Sequence, residues 1–371
     1  MRLKAFRALA KIAPLRSLDD LQTAASGAFV STRLTQQRID GANPGALEMF
    51  SYVPANLPLH APLVVMLHGC GQTAAGYDGG TGWSLLAEEL KFAVLAPQQV
   101  AANNPGTCFD WFDPSNNARD HGEVASIRAM IEQMVHAHGL DPARIYITGL
   151  SAGGAMTAAM LAAYPEMFAG GAIIAGLPAG SASSIPDAFR VMRHAPARTA
   201  HEWGDLVREA SPTPVRYPIV SIWQGDADTT VDASNGEALA MQWTNVHGIA
   251  PASATITQGA NYRHRGWTGA DGKLAVELIE VSGMGHGVPV GGRDAYGRAG
   301  PYFLDAGLSS TAAIARFWGF KVPLTVAAND ARDDKPAPSF AGVTFQAKTG
   351  KRMRVRAVIM KSLKTAGLLK D

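Results

Sequence analysis

Between residues 61 and 320, short uninterrupted apolar runs alternate with stretches whose apolar positions recur every three or four residues. The runs are APLVVMLHG (61–69), FAVLAPQ (92–98), the end of DPARIYITG (141–149), GGAIIAG (170–176), YPIVSIWQG (217–225) and LAVELIEV (274–281). Each has the length of a strand and lacks the polar alternation of a half-exposed one, which suits strands buried on both faces of a parallel sheet. Between them, helices are predicted at WSLLAEELK (83–91), SAGGAMTAAMLAAY (151–164), GEALAMQWTNVHG (236–248) and SSTAAIARFWGF (309–320). A further long helix carries Val124, Ile127, Met130, Ile131, Met134 and Val135 at helical spacing. Strands alternating with helices predict an α/β fold: a mostly parallel, doubly wound sheet with helices on both faces. FVSTRL (29–34) and ALEMFSYVP (46–54) add strand-like stretches upstream.

The pattern fails in three places. Residues 178–214 hold scattered Pro, Ser, Arg and His without a period, and read as an insertion over the sheet within a domain spanning 27–326. Residues 1–26 form a basic segment in which Arg2, Lys4, Arg7, Lys11 and Arg16 break any apolar core of the length a secretory signal needs. Leu3, Phe6, Leu9 and Ala13 share one face if this segment is helical, which would suit a membrane or lipid-granule surface; a solvated, frayed helix is the plainer expectation. From residue 327, ANDARDDKPAPS reads as a linker. A tail with eight Lys or Arg against one acid follows from Lys348 to Asp371, read as solvated, with a short β appendage or a surface-binding extension as alternatives.

Composition narrows this picture little. Of 371 residues, 47% are hydrophobic and 17% charged, enough apolar material for a large core. A net charge of +2 gives no reason to expect a nucleic-acid partner, and no run reaches the ~18 apolar residues of a membrane-spanning helix. Two cysteines are too few for a disulfide framework or a structural zinc site. Cys70 and Cys108 each fall in the loop after one of two successive sheet strands. Both loops should open at the same carboxyl edge, so a bridge between them is expected rather than two free thiols.

The chemistry sits at Gly149-Leu150-Ser151-Ala152-Gly153, a G-x-S-x-G between a predicted strand and a predicted helix. That context is the nucleophile elbow of the α/β-hydrolase fold, a strained turn exposing the Ser151 hydroxyl with glycines that let strand and helix pack close. A helix N-cap serine, the competing explanation, would not require glycine on both sides. Such a serine needs a base and an orienting acid, in the chain order Ser, acid, His. The loop after YPIVSIWQG offers Asp226 and Asp228; Asp228 is favoured because its spacing places it beyond the turn, while Asp226 suits an Asx turn. His286, in the glycine-flanked loop after LAVELIEV, is preferred as base to His264, which precedes that strand. The oxyanion hole is assigned to the amides of Ala152 and Cys70, the latter just past His68-Gly69. Gln72, Trp111 and Trp267 are candidate substrate contacts, together with Phe112, whereas Trp83, inside a predicted helix, is expected in the core. The chemistry calls for no cofactor and no metal: Asp226, Asp228 and Asp232 lie too close in sequence to need one, and no His-x-x-x-His helix appears.

LHGCGQTAAGYDGGTGWSLLAE, CFDWF, GEVASIRAMI and DPARIYITGLSAGGAMTAAMLAAYPEMFAGGAIIAGLP resemble the poly(3-hydroxybutyrate) depolymerase-type esterases, which are related to feruloyl and acetylxylan esterases. The resemblance covers about residues 45–320. It implies a serine esterase acting through an acyl-enzyme on poly(3-hydroxybutyrate), its oligomers or short 3-hydroxyacyl esters, with Ser151, Asp228 and His286 as triad and Cys70 and Ala152 at the oxyanion hole. One departure is Trp223-Gln224-Gly225, where the family more often has histidine before the glycine. The resemblance and the expected disulfide imply an extracellular or periplasmic protein, and the absence of a clear signal leaves a cytoplasmic one as the alternative. A feruloyl or acetylxylan esterase, a peptidase on the same fold, and a binding protein without catalysis are the competing readings of function.

Overall fold

All six apolar runs become strands in the computed structural model, which describes residues 33–211, 216–292 and 296–323. In chain order the strands are β1 (Thr35–Gln37), β2 (Glu48–Tyr52), β3 (Leu63–Leu67), β4 (Ala93–Gln98), β5 (Ile145–Leu150) and β6 (Gly170–Ile174). There follow β7 (Ile219–Gly225), β8 (Thr255–Gln258), β9 (Tyr262–Thr268), β10 (Leu274–Val281), β11 (Val288–Val290) and β12 (Phe303–Asp305). Ten of them form one sheet in the order β1-β2-β4-β3-β5-β6-β7-β10-β9-β8, and β11 pairs with β12 apart from it. The six central strands, from β4 to β10 in that order, are mutually parallel, and the pairs at both edges are antiparallel.

The continuous apolar runs have a direct structural cause. Alternate residues of β3 enter opposite cores: Leu63, Val65 and Leu67 pack on one face, Val64 and Met66 on the other. Helices Gly122–His138 and Ala152–Ala163 cover the first face, and Trp83–Leu90 and Ser310–Phe317 the second. A strand clad on both sides offers few positions for polar residues. This is the α/β-hydrolase arrangement expected.

The chain leaves β3 toward β4 on one side and returns to β5 on the other. Loops at the carboxyl ends of β3 and β5 therefore diverge, which opens the crevice where open α/β sheets bind ligands. The loops after β3, β5, β7 and β10 carry His68 to Gln72, Ser151, Asp228 and His286 respectively.

The structure refines several expectations. The stretch 178–214 holds two helices, Ile185–Arg193 and Ala200–Ala210. Their start signals were present in the sequence: Ser184 accepts from the Asp187 amide, and Thr199 with Glu202 forms a capping box. Helix Ala74–Thr81 carries little sequence signal because it ends Asp-Gly-Gly-Thr, and β8 and β9 carry little because TITQ, on the edge, and YRHRGWT, next to it, are polar strands. FVSTRL falls mostly outside the described residues; its described part, Arg33 and Leu34, precedes β1 and is not strand. The basic N-terminal segment, the linker and the basic tail also lie outside them. Among the described residues no helix is long and apolar enough to cross a membrane.

Candidate active site

Ser151 lies between β5 and helix Ala152–Ala163 at φ +58°, ψ −118°, a backbone region that costs a non-glycine residue roughly 1–3 kcal/mol. Its N–H donates to Ile174 O at 2.9 Å, tying the turn to the end of β6. The flanking glycines answer to close packing. A Cβ on Gly149 would come within 2.3 Å of Gly153 O, and one on Gly153 within 2.4 Å of Leu67 O. The pentapeptide thus records the approach of the helix to β3 and β5.

Asp228 and His286 are brought together from loops 58 residues apart. His286 Nδ1 meets Asp228 Oδ2 at 2.7 Å, with both side chains buried. The carboxylate is held from three other sides. Its Oδ1 accepts the amides of Thr230 at 2.8 Å and Val231 at 2.9 Å, and Gln224 Nε2 donates to Oδ2 at 3.4 Å and to Val231 O at 3.0 Å. Asp226 takes a different part: it is exposed and its Oδ1 accepts the Gly283 amide at 2.6 Å. With Asp226 N–H to Val281 O and Ala227 N–H to Met284 O, it fastens the acid loop to the histidine loop. A Cβ on Gly225 would stand 2.2 Å from Met284 O, so that glycine permits the contact. His264, on β9, instead meets Glu277 at 2.9 Å.

The loop after β3 is shaped by buried polar groups whose partners are remote in sequence. His68 Nε2 accepts the Gln99 amide at 3.1 Å, so its proton resides on Nδ1, which donates to Gly69 O at 2.8 Å. Burial pushes His68 down to about 4, well below the usual imidazole value. Gln99 Nε2 donates to Cys108 O at 3.2 Å and to Glu123 Oε1 at 2.5 Å, and Glu123 Oε2 accepts the Asp110 amide at 3.0 Å. Burial, with Asp110 nearby, raises the Glu123 carboxyl well above its ordinary range. A lone glutamate in the first turn of a helix carries no sequence signal for this role, because its partners are remote in sequence.

A histidine buried neutral makes stability fall with acid. The unfolded chain binds the His68 proton near pH 6.5 and the folded chain only near 4, so this contribution is complete above pH 6.5 and lost as pH falls toward 4. The shift corresponds to about 3 kcal/mol at ~1.4 kcal/mol per unit. Urea unfolding of the native protein and of His68→Gln at pH 7 and pH 4.5 should show a steeper loss in the native protein; parallel losses would count against the assignment.

Cys70 and Cys108 are joined, as the loop placement predicted, with Cα atoms 4.2 Å apart. The bridge spans 38 residues and ties the β3 loop to the β4 loop, where Gly71 N–H also donates to Gly106 O at 2.8 Å. In the chain-entropy account a loop of that length contributes about 4 kcal/mol. Cys108→Ser should lower the melting temperature by several degrees in non-reducing buffer, and an unchanged melting temperature would refute a stabilising bridge.

A cleft of about 590 Å³, its solvent mouth included, opens over Ser151 and Ala152. Ala152 is the first residue of its helix, so its amide has no partner within the helix. The disulfide, Phe109, Trp111 and Phe112 border the cleft from one part of the chain, and Leu177, Ile185, Ala188, Phe189 and Met192 from another. Two candidate substrate contacts fall elsewhere. Gln72 does not border the cleft; its Oε1 accepts the Gly69 amide at 2.8 Å and shapes the loop. Trp267 is fully buried in the core and donates Nε1–H to Pro251 O at 2.8 Å, so its expected contact with substrate is not made. Trp83 is buried, as expected, stacked on Trp318.

Known proteins share much of this sequence, and a solved structure shares its architecture. Poly(3-hydroxyalkanoate) depolymerase C of Paucimonas lemoignei is 43% identical over 290 residues, covering 77% of this chain and 70% of the relative. Acetylxylan esterase of Coprinopsis cinerea (strain Okayama-7 / 130 / ATCC MYA-4618 / FGSC 9003) is 34% identical, covering 71% of each chain. Among solved structures, acetyl xylan esterase from Aspergillus awamori superposes with a TM-score of 0.67 at 25% identity, covering 77% of this chain and 99% of that one. Residues 47–264, more than half the chain, match the family described as Esterase PHB depolymerase. With that match, the chain belongs to the PHB depolymerase-type esterases, a family of ester hydrolases.

Proposed function

We propose that Ser151, His286 and Asp228 hydrolyse an ester through an acyl-enzyme, and that the substrate is a poly(3-hydroxyalkanoate) such as poly(3-hydroxybutyrate), its oligomers or short 3-hydroxyacyl esters. The observation that carries this reading is the 2.7 Å Asp228–His286 bond, made by the loops after β7 and β10 at the carboxyl edge of the parallel sheet that also carries the strained serine after β5. With Nδ1–H given to Asp228, His286 presents a basic Nε2. That nitrogen takes the Ser151 proton as Oγ attacks the ester carbonyl, then returns it to the departing alcohol. Water repeats the cycle on the acyl-enzyme. The amides of Ala152 and Cys70 receive the developing oxyanion, each such donor typically supplying ~10²–10³ in rate. Their alignment rests on the elbow for one and on the bridged, Gln99-braced β3 loop for the other.

The polyester reading rests on the 43% identical depolymerase and on the apolar border of the cleft, which suits compact methylated acyl units. The disulfide supports an oxidising compartment, periplasmic or extracellular. An ester panel tests the substrate: kcat/KM should be highest for hydroxybutyrate oligomers and short p-nitrophenyl esters, and lower for long acyl chains. A higher value for methyl ferulate or an acetylated xylan fragment than for hydroxybutyrate trimer would move the enzyme to the plant-wall esterases.

A further inference from the structure

Helix Ile185–Arg193 borders the cleft through Ile185, Ala188, Phe189 and Met192, positions i, i+3, i+4 and i+7 that form a single helical face. Of these, Ile185, Phe189 and Met192 are only partly buried among the described residues, an apolar surface that those residues leave partly uncovered. Trp111 and Phe112 supply aromatic surface to the same cleft. None of the residues bordering it is an acid, a lysine, an arginine or a histidine. On this helix Asp187 and Arg190 pair at 2.8 Å outside that face, and Arg193, exposed at its last position, does not border the cleft. Its carboxyl end is anchored beside the triad acid: Asp232 N–H donates to Met192 O at 2.8 Å and Asn235 Nδ2 to Val191 O at 2.9 Å.

We propose that this helix is the specificity wall of the enzyme, selecting an uncharged ester segment and rejecting a chain that would bring a free carboxylate into the cleft. The inference rests on the polyester reading above and deepens it. A carboxylate drawn from water against Phe189, Met192 and Trp111 loses hydration and meets no cation among the residues bordering the cleft. An internal ester, flanked by neutral units, meets no such penalty. The enzyme therefore cuts within a chain in preference to the bond next to its carboxyl end.

The test compares hydroxybutyrate trimer as the free acid with its methyl ester at neutral pH. The native enzyme should favour the methyl ester by about tenfold in kcat/KM, a modest fraction of the cost of an unpaired buried charge. Phe189→Arg, which places a guanidinium at the wall, should reduce that preference to twofold or less, and Phe189→Leu should keep it. Should Phe189→Arg fail to fold, Met192→Lys serves the same purpose. Equal rates on the two trimers with the native enzyme would overturn the proposal, as would a folded arginine or lysine variant that keeps the full preference. If neither trimer is cleaved while p-nitrophenyl butyrate is, the polyester reading fails. The wall is then judged on p-nitrophenyl succinate against its methyl ester, with the same two outcomes.

Discussion

Ser151→Ala is expected to lower kcat by about 10⁶-fold, the scale lost when a serine hydrolase is deprived of its nucleophile. The fold should survive. Alanine carries the same Cβ as serine into the φ +58° turn, so the backbone strain is unchanged, and the backbone N–H hydrogen bond to Ile174 O needs no side chain. Oxyanion amides and cleft would persist, which is why residual hydrolysis above water is expected rather than none. Circular dichroism and urea unfolding should match the native protein while p-nitrophenyl butyrate hydrolysis collapses. A purified variant retaining a tenth of native activity would show that another group attacks the ester.

Asp228→Asn should cost about 10⁴-fold in kcat, and Asp226→Asn less than tenfold. An asparagine at 228 keeps Oδ1 for the amides of Thr230 and Val231, so the loop should hold its form. Its NH₂ replaces the oxygen that meets His286 Nδ1 at 2.7 Å, and donor then faces donor unless the imidazole shifts its proton to Nε2. In that tautomer His286 has no lone pair for the Ser151 proton. At 226 the asparagine oxygen still accepts the Gly283 amide, and the exposed site tolerates the change. Single-turnover kinetics on the two variants would decide the assignment, and the reverse ranking would give the role to Asp226.

The central strands and helices were legible because burial on two faces demands continuous apolar runs and burial on one demands helical spacing. The elbow was legible for a related reason. Gly149 and Gly153 are required by contacts within one strand-turn-helix unit and its nearest strand, so the requirement is written into five consecutive residues. β8 and β9, at one end of the sheet, were not, since a strand such as YRHRGWT, exposed along part of its length, carries little apolar pattern.

By itself the sequence determined the strand order of the chemistry: a serine after one buried strand, acids after a later one, a histidine after the last long one, and two cysteines in loops that share an edge. Those are properties of short segments, set by local geometry and burial. Spacing in the sequence favoured Asp228 over Asp226, but only the tertiary structure shows Asp228 bonded to His286 and Asp226 to Gly283, because the remote partner each reaches is set by how the loops pack. It also moved Trp267 into the core and Gln72 into its own loop, and it set the apolar face of Ile185, Ala188, Phe189 and Met192 against the cleft, which their helical spacing alone does not specify. A cleft is the space left between segments distant along the chain. Which side chains border it depends on how those segments pack, and no local pattern encodes that.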